Sequence, residues 1–395
     1  MSKAQIPRDG WGARRFSDVA ESVTERVDDP ASAGVQAYVG LDHLDTDTIK
    51  ISRWGLPTDV EATKLKFFPG DVIYARRRAY QRKLGVAEFE GICSAHALVL
   101  RANPEVCLPG FLPYFLQSDQ FHERALDISV GSLSPTINWK TLAMQEFLVP
   151  PLEAQRQIVE VLDAIGALEE CLSAVVSSIR HLMAAVAHEV AELSAATGAL
   201  TPVGRLVEDD RPVTYGILKP GTGHPGGVPV IKVRDFPNGL VETDNLLLTS
   251  PEIDEEYKRS RLRAGDLLIS IRGTVGRLAE VPSELAGANI TQDTARLTIR
   301  GEHDAKFIRW MLASNFVQRQ IQSRITGLAV QGINLGSLRL VTVPTPPPED
   351  QRALTVRFAS LDSLLQLSQS QLQATRDITR LLRHHLLGGE ANHVQ

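Results

Sequence analysis

Cysteine is scarce in this 395-residue chain, which has only Cys93, Cys107 and Cys171. Three at irregular spacing exclude a disulfide framework, and no C-x-x-C pair offers a zinc site, so a reducing cytoplasmic setting is expected. No apolar run approaches the length that crosses a bilayer, so no membrane partner is expected, and Met1–Arg8 lacks the apolar core of a signal peptide. Catalytic motifs are missing as well. There is no G-x-x-x-x-G-K-[ST] phosphate loop, no G-x-G-x-x-G after a strand and no nucleophile elbow. An Asn-Pro-Pro-aromatic run, which orients an amine for methyl transfer, is also absent. His384-His385 does not suggest a metal site, because adjacent helical side chains diverge. The chain reads as a binding protein, not an enzyme, with no metal or cofactor of its own.

What is present is said twice, about 196 residues apart. Val149-Pro150-Pro151-Leu152-Glu153-Ala154-Gln155-Arg156 returns as Thr345-Pro346-Pro347-Pro348-Glu349-Asp350-Gln351-Arg352. Phe111–Ser118 returns as Phe307–Ser314, Pro69-Gly70-Asp71-Val72-Ile73 as Ala264-Gly265-Asp266-Leu267-Leu268, and Ile137-Asn138 as Ile333-Asn334. Four matched blocks in one order mean a tandem duplication, and hence two globular domains. Each repeat reads as mixed α+β, with short strands around residues 71–76 and 97–101 and again around 266–272 and 295–300. One amphipathic helix follows in each, near 110–127 and 304–324.

After each proline-rich stop the pattern becomes helical. Between Glu153 and Ala195 there is no proline and only Gly166. Ile158, Val161, Ile165, Leu168, Leu172, Val175, Ile179, Leu182 and Val186 alternate by three and four, as a heptad seam does. The second stretch carries Leu354, Phe358, Leu361, Leu365 and Leu372, then Ile378, Leu382 and Leu386, with Ser368, Thr375 and Thr379 interrupting. Helices of this length span about 60 Å and are unstable alone, so an antiparallel coiled coil of the two is expected. The expected domains are 1–150 and 198–346, separated by long helices at 151–197 and 347–395. Residues Ile158, Ile165, Leu168, Leu172, Ile179, Leu354, Phe358, Leu361, Leu365 and Leu372 are the candidates for the coil and for partner docking.

The net charge of −5 is mildly unfavourable for nucleic acid, yet its distribution is uneven. Residues 64–84 hold Lys64, Lys66, Arg76, Arg77, Arg78, Arg82 and Lys83 against Asp71 alone. Residues 257–277 hold Lys258, Arg259, Arg261, Arg263, Arg272 and Arg277 against Asp266 alone. These windows occupy equivalent places in the repeats and predict two positive faces. Candidate DNA contacts in the first repeat are Arg76, Arg77, Arg78, Tyr80, Arg82 and Lys83, with Ser132 and Ser134 in the loop before Ile137-Asn138. Their counterparts are Arg272, Thr274 and Arg277, joined by Asn289, Gln292 and Gln331, since Asn and Gln are the usual readers of adenine.

Together these motifs resemble the specificity subunit of a Type I restriction–modification system. The resemblance rests on the Pro-Pro-x-x-x-Gln-Arg start of each long helix and on the Gly265–Arg277 run with its looser copy at Gly70–Lys83. It covers essentially the whole chain. It implies two target recognition domains reading a bipartite double-stranded DNA site, with the helices as spacer and docking surface for methyltransferase subunits and, where present, restriction/translocase subunits. S-adenosylmethionine, ATP and Mg would then sit on those partners. Other readings stay open: a coiled-coil scaffold that does not touch DNA, or a methylation-only or phage-defence assembly. A nuclease using Asp42, Asp45 and Asp47 is a further alternative.

Overall fold

The computed structural model describes residues 10–46, 48–237, 239–327 and 331–388. Met1–Arg8, Asp47, Leu328–Val330 in the second repeat's loop, and the last seven residues of the expected second helical region lie outside them. The fold is mixed α+β, with two long helices, Leu152–Ala196 and Pro348–Leu386. The chain divides into two compact units, Met1–Leu172 with Ser370–Gln395, and Ser173–Gln369. Each unit therefore takes a portion of both long helices, and the division runs through the helical regions, away from the boundaries expected from the motifs.

In the first unit, an antiparallel sheet runs in the order Ala20–Val23, Ala97–Ala102, Val72–Ala75, Leu84–Val86. A second sheet orders Arg26–Val27, Lys64–Phe67, Gly91–Ser94 and Tyr38–Val39, with only the last pair parallel. The second unit repeats the plan. Thr214–Tyr215, Thr294–Leu297, Leu267–Ser270 and Leu278–Glu280 form one sheet, and Leu247–Thr249, Val228–Ile231 and Asn289–Ile290 the other. The central strands are buried on both faces, as their unbroken apolar runs Val72-Ile73-Tyr74-Ala75 and Leu267-Leu268-Ile269 require. Each unit has two hydrophobic clusters, one on either side of this strand.

The single helix expected in each repeat is two helices. Phe111–Leu116 is followed by Asp119–Asp127, and Ala305–Ala313 by Asn315–Gln322. Ser118 and Ser314 cause the break. Each takes extended backbone angles, and its hydroxyl accepts the N–H of Phe121 or Val317, starting a new helix.

The long helices are antiparallel within each unit. In the first unit Thr379 of the second long helix donates to Glu169 of the first, and Leu386 and Leu387 join the core that holds Ile158 and Leu162. In the second unit, Leu354 and Phe358 share a core with Met183, Val186 and Ala187. The start of each helix thus meets the end of the other. The seam itself needs correction. Ile158 and Ile179 are buried and Ile165, Leu172 and Val186 half-buried, but Val161, Leu168, Val175 and Leu182 are 43%, 49%, 39% and 51% exposed. The second seam position lies one residue later, at Leu162, Glu169, Val176, Met183 and Val190. In the second helix Phe358 and Leu372 are buried and Leu354, Leu361 and Leu365 half-buried. Ser368 and Thr379 are buried in that seam and do not interrupt it, whereas Ile378 faces out. Hydrogen bonding explains the shift: Glu169 sits in the seam because Thr379 opposes it.

The repeated helix start is a clip. Gln155 and Gln351 are fully buried. Gln155 donates to Pro150 O at 2.9 Å and Val106 O at 2.8 Å and accepts from Leu108 N at 2.8 Å. Gln351 donates to Pro346 O at 2.7 Å and accepts from Asp304 N at 3.0 Å. Each glutamine ties its long helix to the segment that opens the preceding helix pair, satisfying backbone groups that would otherwise be buried unpaired.

Candidate nucleic-acid interface

The repeated Gly-Asp turns set the site. Gly70 and Gly265 take φ of 93° and 83°, conformations that disfavour a Cβ. Asp71 Oδ2 accepts Phe68 N at 2.9 Å, and Asp266 Oδ2 accepts Arg263 N at 2.7 Å, closing each turn. Buried Asp71 is gripped by Arg101 at 2.8 and 3.0 Å, and buried Asp266 by Arg211 at 2.9 Å. From these anchors the central strand runs out to a basic segment in each unit.

That segment is zipped to a second loop in the same way twice. In the first unit Arg77 pairs with Thr136, Arg78 N donates to Pro135 O at 2.8 Å, and Ile137 N donates to Arg76 O at 3.0 Å. In the second, Arg272 pairs with Gly332, Gly273 N donates to Gln331 O at 3.1 Å, and Ile333 N donates to Ile271 O at 2.9 Å. The Ile-Asn motif ends both zippers: the isoleucine is buried, and Asn138 and Asn334 cap short helices through Lys140 N and Ser337 N. The basic segments and the loops holding Ser132, Ser134 and Gln331 are therefore brought side by side.

Within the first segment, Arg77, Arg78 and Tyr80 are exposed, and so is Ser132 across the zipper, with Ser134 half-buried. Arg78 and Arg82 flank a turn in the left-handed region, with φ of 58° and 49°. Such angles cost energy in non-glycine residues and concentrate where a loop is held for a purpose. Arg76 does not point outward: it is half-buried and donates to Ala95 O at 3.0 Å. Arg82 turns to Asp119 at 2.8 Å, and Lys83 reaches Leu41 O at 3.4 Å. In the second unit Arg272, Thr274 and Gln331 are exposed. Arg277 is half-buried and donates to Val233 O at 3.2 Å, and Gln292 is half-buried in a turn.

Asn289 cannot meet a base in this fold. It is 0% exposed and fully bonded, donating to Asp254 Oδ1 at 2.8 Å and accepting from Ser260 Oγ at 2.7 Å and Ile290 N at 2.9 Å. The basic windows also shrink. Lys66 pairs with Glu90, Lys258 with Glu255, Arg261 with Asp254 and Glu255, and Arg263 with Glu208. Lys64 is buried and donates to Ala62 O. The carboxylates come from outside each window, so counting neighbours in sequence overstated the charge. Arg77 and Arg78 in one unit, and Arg259 and Arg272 in the other, make no ion pair among the described residues.

Among the described residues, no cluster of His, Cys, Asp or Glu is arranged to hold a metal, and no helix is long and apolar enough to cross a membrane. Of the acidic residues considered for a nuclease, Asp45 pairs with Arg53 and Asp42 lies beside His43. Burial raises the Cys93 and Cys107 thiols to about 12, which leaves them unreactive as nucleophiles.

Residues 9–177 match the Type I restriction modification DNA specificity domain. Curated relatives include the Type I restriction enzyme EcoBI specificity subunit of Escherichia coli, 25% identical over 75% of this chain and 70% of that protein. The EcoKI specificity subunit of Escherichia coli K12 is 21% identical over 85% of this chain and 78% of its own length. In fold, the chain is similar to the Type I restriction–modification S subunit from M. genitalium, with a TM-score of 0.60 at 15% identity over 99% and 98% of the two chains. A chain from a Type I restriction–modification assembly gives 0.52 at 22% identity, over 98% of both.

Proposed function

We propose that this chain, which carries a Type I restriction–modification DNA specificity domain and resembles specificity subunits over most of its length, reads a bipartite duplex DNA target. One half-site goes to each unit. The observation that carries this reading is the repeated zipper, which presents Arg77 and Arg78 in one unit beside exposed Ser132, and Arg272 in the other beside exposed Gln331. An exposed arginine can grip guanine bidentately or meet a backbone phosphate. The neighbouring Ser132 and Gln331 add short polar groups at the same edge.

In this reading the chain performs no chemistry. Methyltransferase subunits and, where present, restriction/translocase subunits carry S-adenosylmethionine, ATP and Mg, and the complex works in the cytoplasm. Docking of those subunits is supported by the exposed apolar row on the first long helix, with Val161 and Leu168 in the first unit's portion and Val175 and Leu182 in the second's.

The test is DNA affinity against salt for the complex with its methyltransferase. Arg77→Ala and Arg272→Ala should each weaken binding and lower the slope of log affinity against log salt by about 1. An unchanged slope in both variants would remove these residues from the interface.

A further inference from the structure

The first unit holds a cavity of about 730 Å³ that the DNA reading does not use, where the end of the second long helix covers the start of helix Asp119–Asp127. Four arginines line it: Arg82, Arg376, Arg380 and Arg383. The two lining carboxylates among the described residues are already engaged. Asp119 pairs with Arg82 at 2.8 Å and His384 at 2.7 Å, and Glu169 accepts from Thr379. Arg376 and Arg380 are exposed to this space and meet no carboxylate among the described residues. The cleft therefore carries a surplus of positive charge.

A second observation points to a ligand. Gln117 lines the cavity and is only 6% exposed. Its Nε2 donates to Thr48 O at 3.0 Å, but its Oε1 is buried with no partner among the described residues. A buried carbonyl oxygen without a donor is costly, and a ligand hydroxyl or amine would remove the cost.

The duplicate supplies a comparison. At the same place in the second unit, Ser314 and Asn315 stand for Ser118 and Asp119, and His188 for His384, around a cavity of about 380 Å³. There Arg380 is replaced by Ala184, and the residue matching Arg383 is Ala187. The two clefts share a scaffold: Arg380 and Arg383 are particular to the first, whereas Arg376 has Arg180 as its counterpart and Arg319 lines the second cleft.

We propose that the first unit's cleft binds a phosphate monoester on a hydroxyl- or amine-bearing ring, a nucleotide or a sugar phosphate. The phosphate meets Arg376 and Arg380, and Gln117 Oε1 accepts from the ring substituent. The volume suits such a ligand, and arginine suits phosphate by bidentate geometry. Arg376 and Arg380, on the second long helix, are distinct from the zipper residues Arg77, Arg78 and Arg272 and from the ATP assigned to partner subunits, while Arg82 in the lining follows the first zipper's segment.

Calorimetry on the full chain at fixed ionic strength tests this, using the four ribonucleoside 5′-monophosphates, ribose 5-phosphate and inorganic phosphate as probes. Saturable binding of a nucleotide or of ribose 5-phosphate, about tenfold or more tighter than inorganic phosphate, is expected. A nucleotide that outbinds ribose 5-phosphate assigns the first class, and equal affinity assigns the second. Arg376→Gln/Arg380→Ala, with an unchanged melting temperature, should weaken binding by about tenfold or more. Gln117→Leu should abolish the margin over inorganic phosphate while keeping phosphate binding. No saturable binding by any probe, or affinity untouched in the arginine double variant, overturns the proposal. So does a short DNA duplex that displaces the probe with the same arginine dependence, because the cleft would then be a DNA backbone site.

Discussion

The aspartate of each Gly-Asp turn works inward. Asp71 and Asp266 close their turns and hold Arg101 and Arg211, so the recurrence of this motif records how the central strand is anchored. The same network leaves Arg296 buried and pushes its guanidinium down to about 10, through burial first and the nearby charge of Arg211 second. The fold opposes protonation of His122 near neutral pH. Burial and the positive Arg82 hold its imidazole below the ordinary value, outweighing Asp119. The unfolded chain takes up this proton as pH falls through about 6.5, whereas the folded chain resists it. Stability contributed at this position is therefore lost as pH drops below that point. His122→Gln should flatten the fall in melting temperature between about pH 7 and pH 5.5. An identical pH profile in the variant would show that another group is responsible. At this scale the sequence was a poor guide to side-chain direction. Arg77 and Arg76 look alike in a list of cations, yet one is exposed and the other latched to Ala95. Asn289 carries the chemistry of an adenine reader but is consumed by Asp254 and Ser260.

Among the elements, the long helices were the most legible and their seam the least. Length, proline-rich start and apolar content were all visible in the residues, because they follow from local rules. The seam's second position was not, because it is partly polar: Glu169, Ser368 and Thr379 occupy it or face it, and Glu169 and Thr379 are hydrogen-bonded to each other there. Hydropathy alone picks Leu168 over Glu169. The two positions now make opposite predictions. Leu162→Ala should destabilise the protein by about 2–5 kcal/mol, since it empties a buried contact in the first unit's core. Leu168→Ala should change stability by no more than about 0.5 kcal/mol. Urea unfolding of the two variants checks this, and a larger loss at Leu168 would restore the seam read from hydropathy. The Ser118 and Ser314 breaks were available in the sequence as Ser-Asp and Ser-Asn, but the apolar periodicity ran across them and hid them.

For the molecule as a whole, duplication carried most of what could be foreseen. Four matched blocks implied two related units, and each unit does build the same sheet order around the same Gly-Asp strand. What duplication could not convey is where the copies have diverged, because divergence is read only when side chains share a place. The paired clefts show this: Arg380 lines the first, and its counterpart in the second is Ala184. The zippers are the opposite case: they keep one backbone pattern while their side chains differ. On the function proposed above, the loops would be held by backbone pairing while their side chains set the target.

The most direct test of the proposed function is a genome-wide map of methylated bases in cells with and without this chain, expressed with the methyltransferase subunits the proposal assigns to it. The account predicts that methylation disappears from one split motif and that both half-sites remain unchanged elsewhere. Methylation that persists at every site in its absence would contradict it.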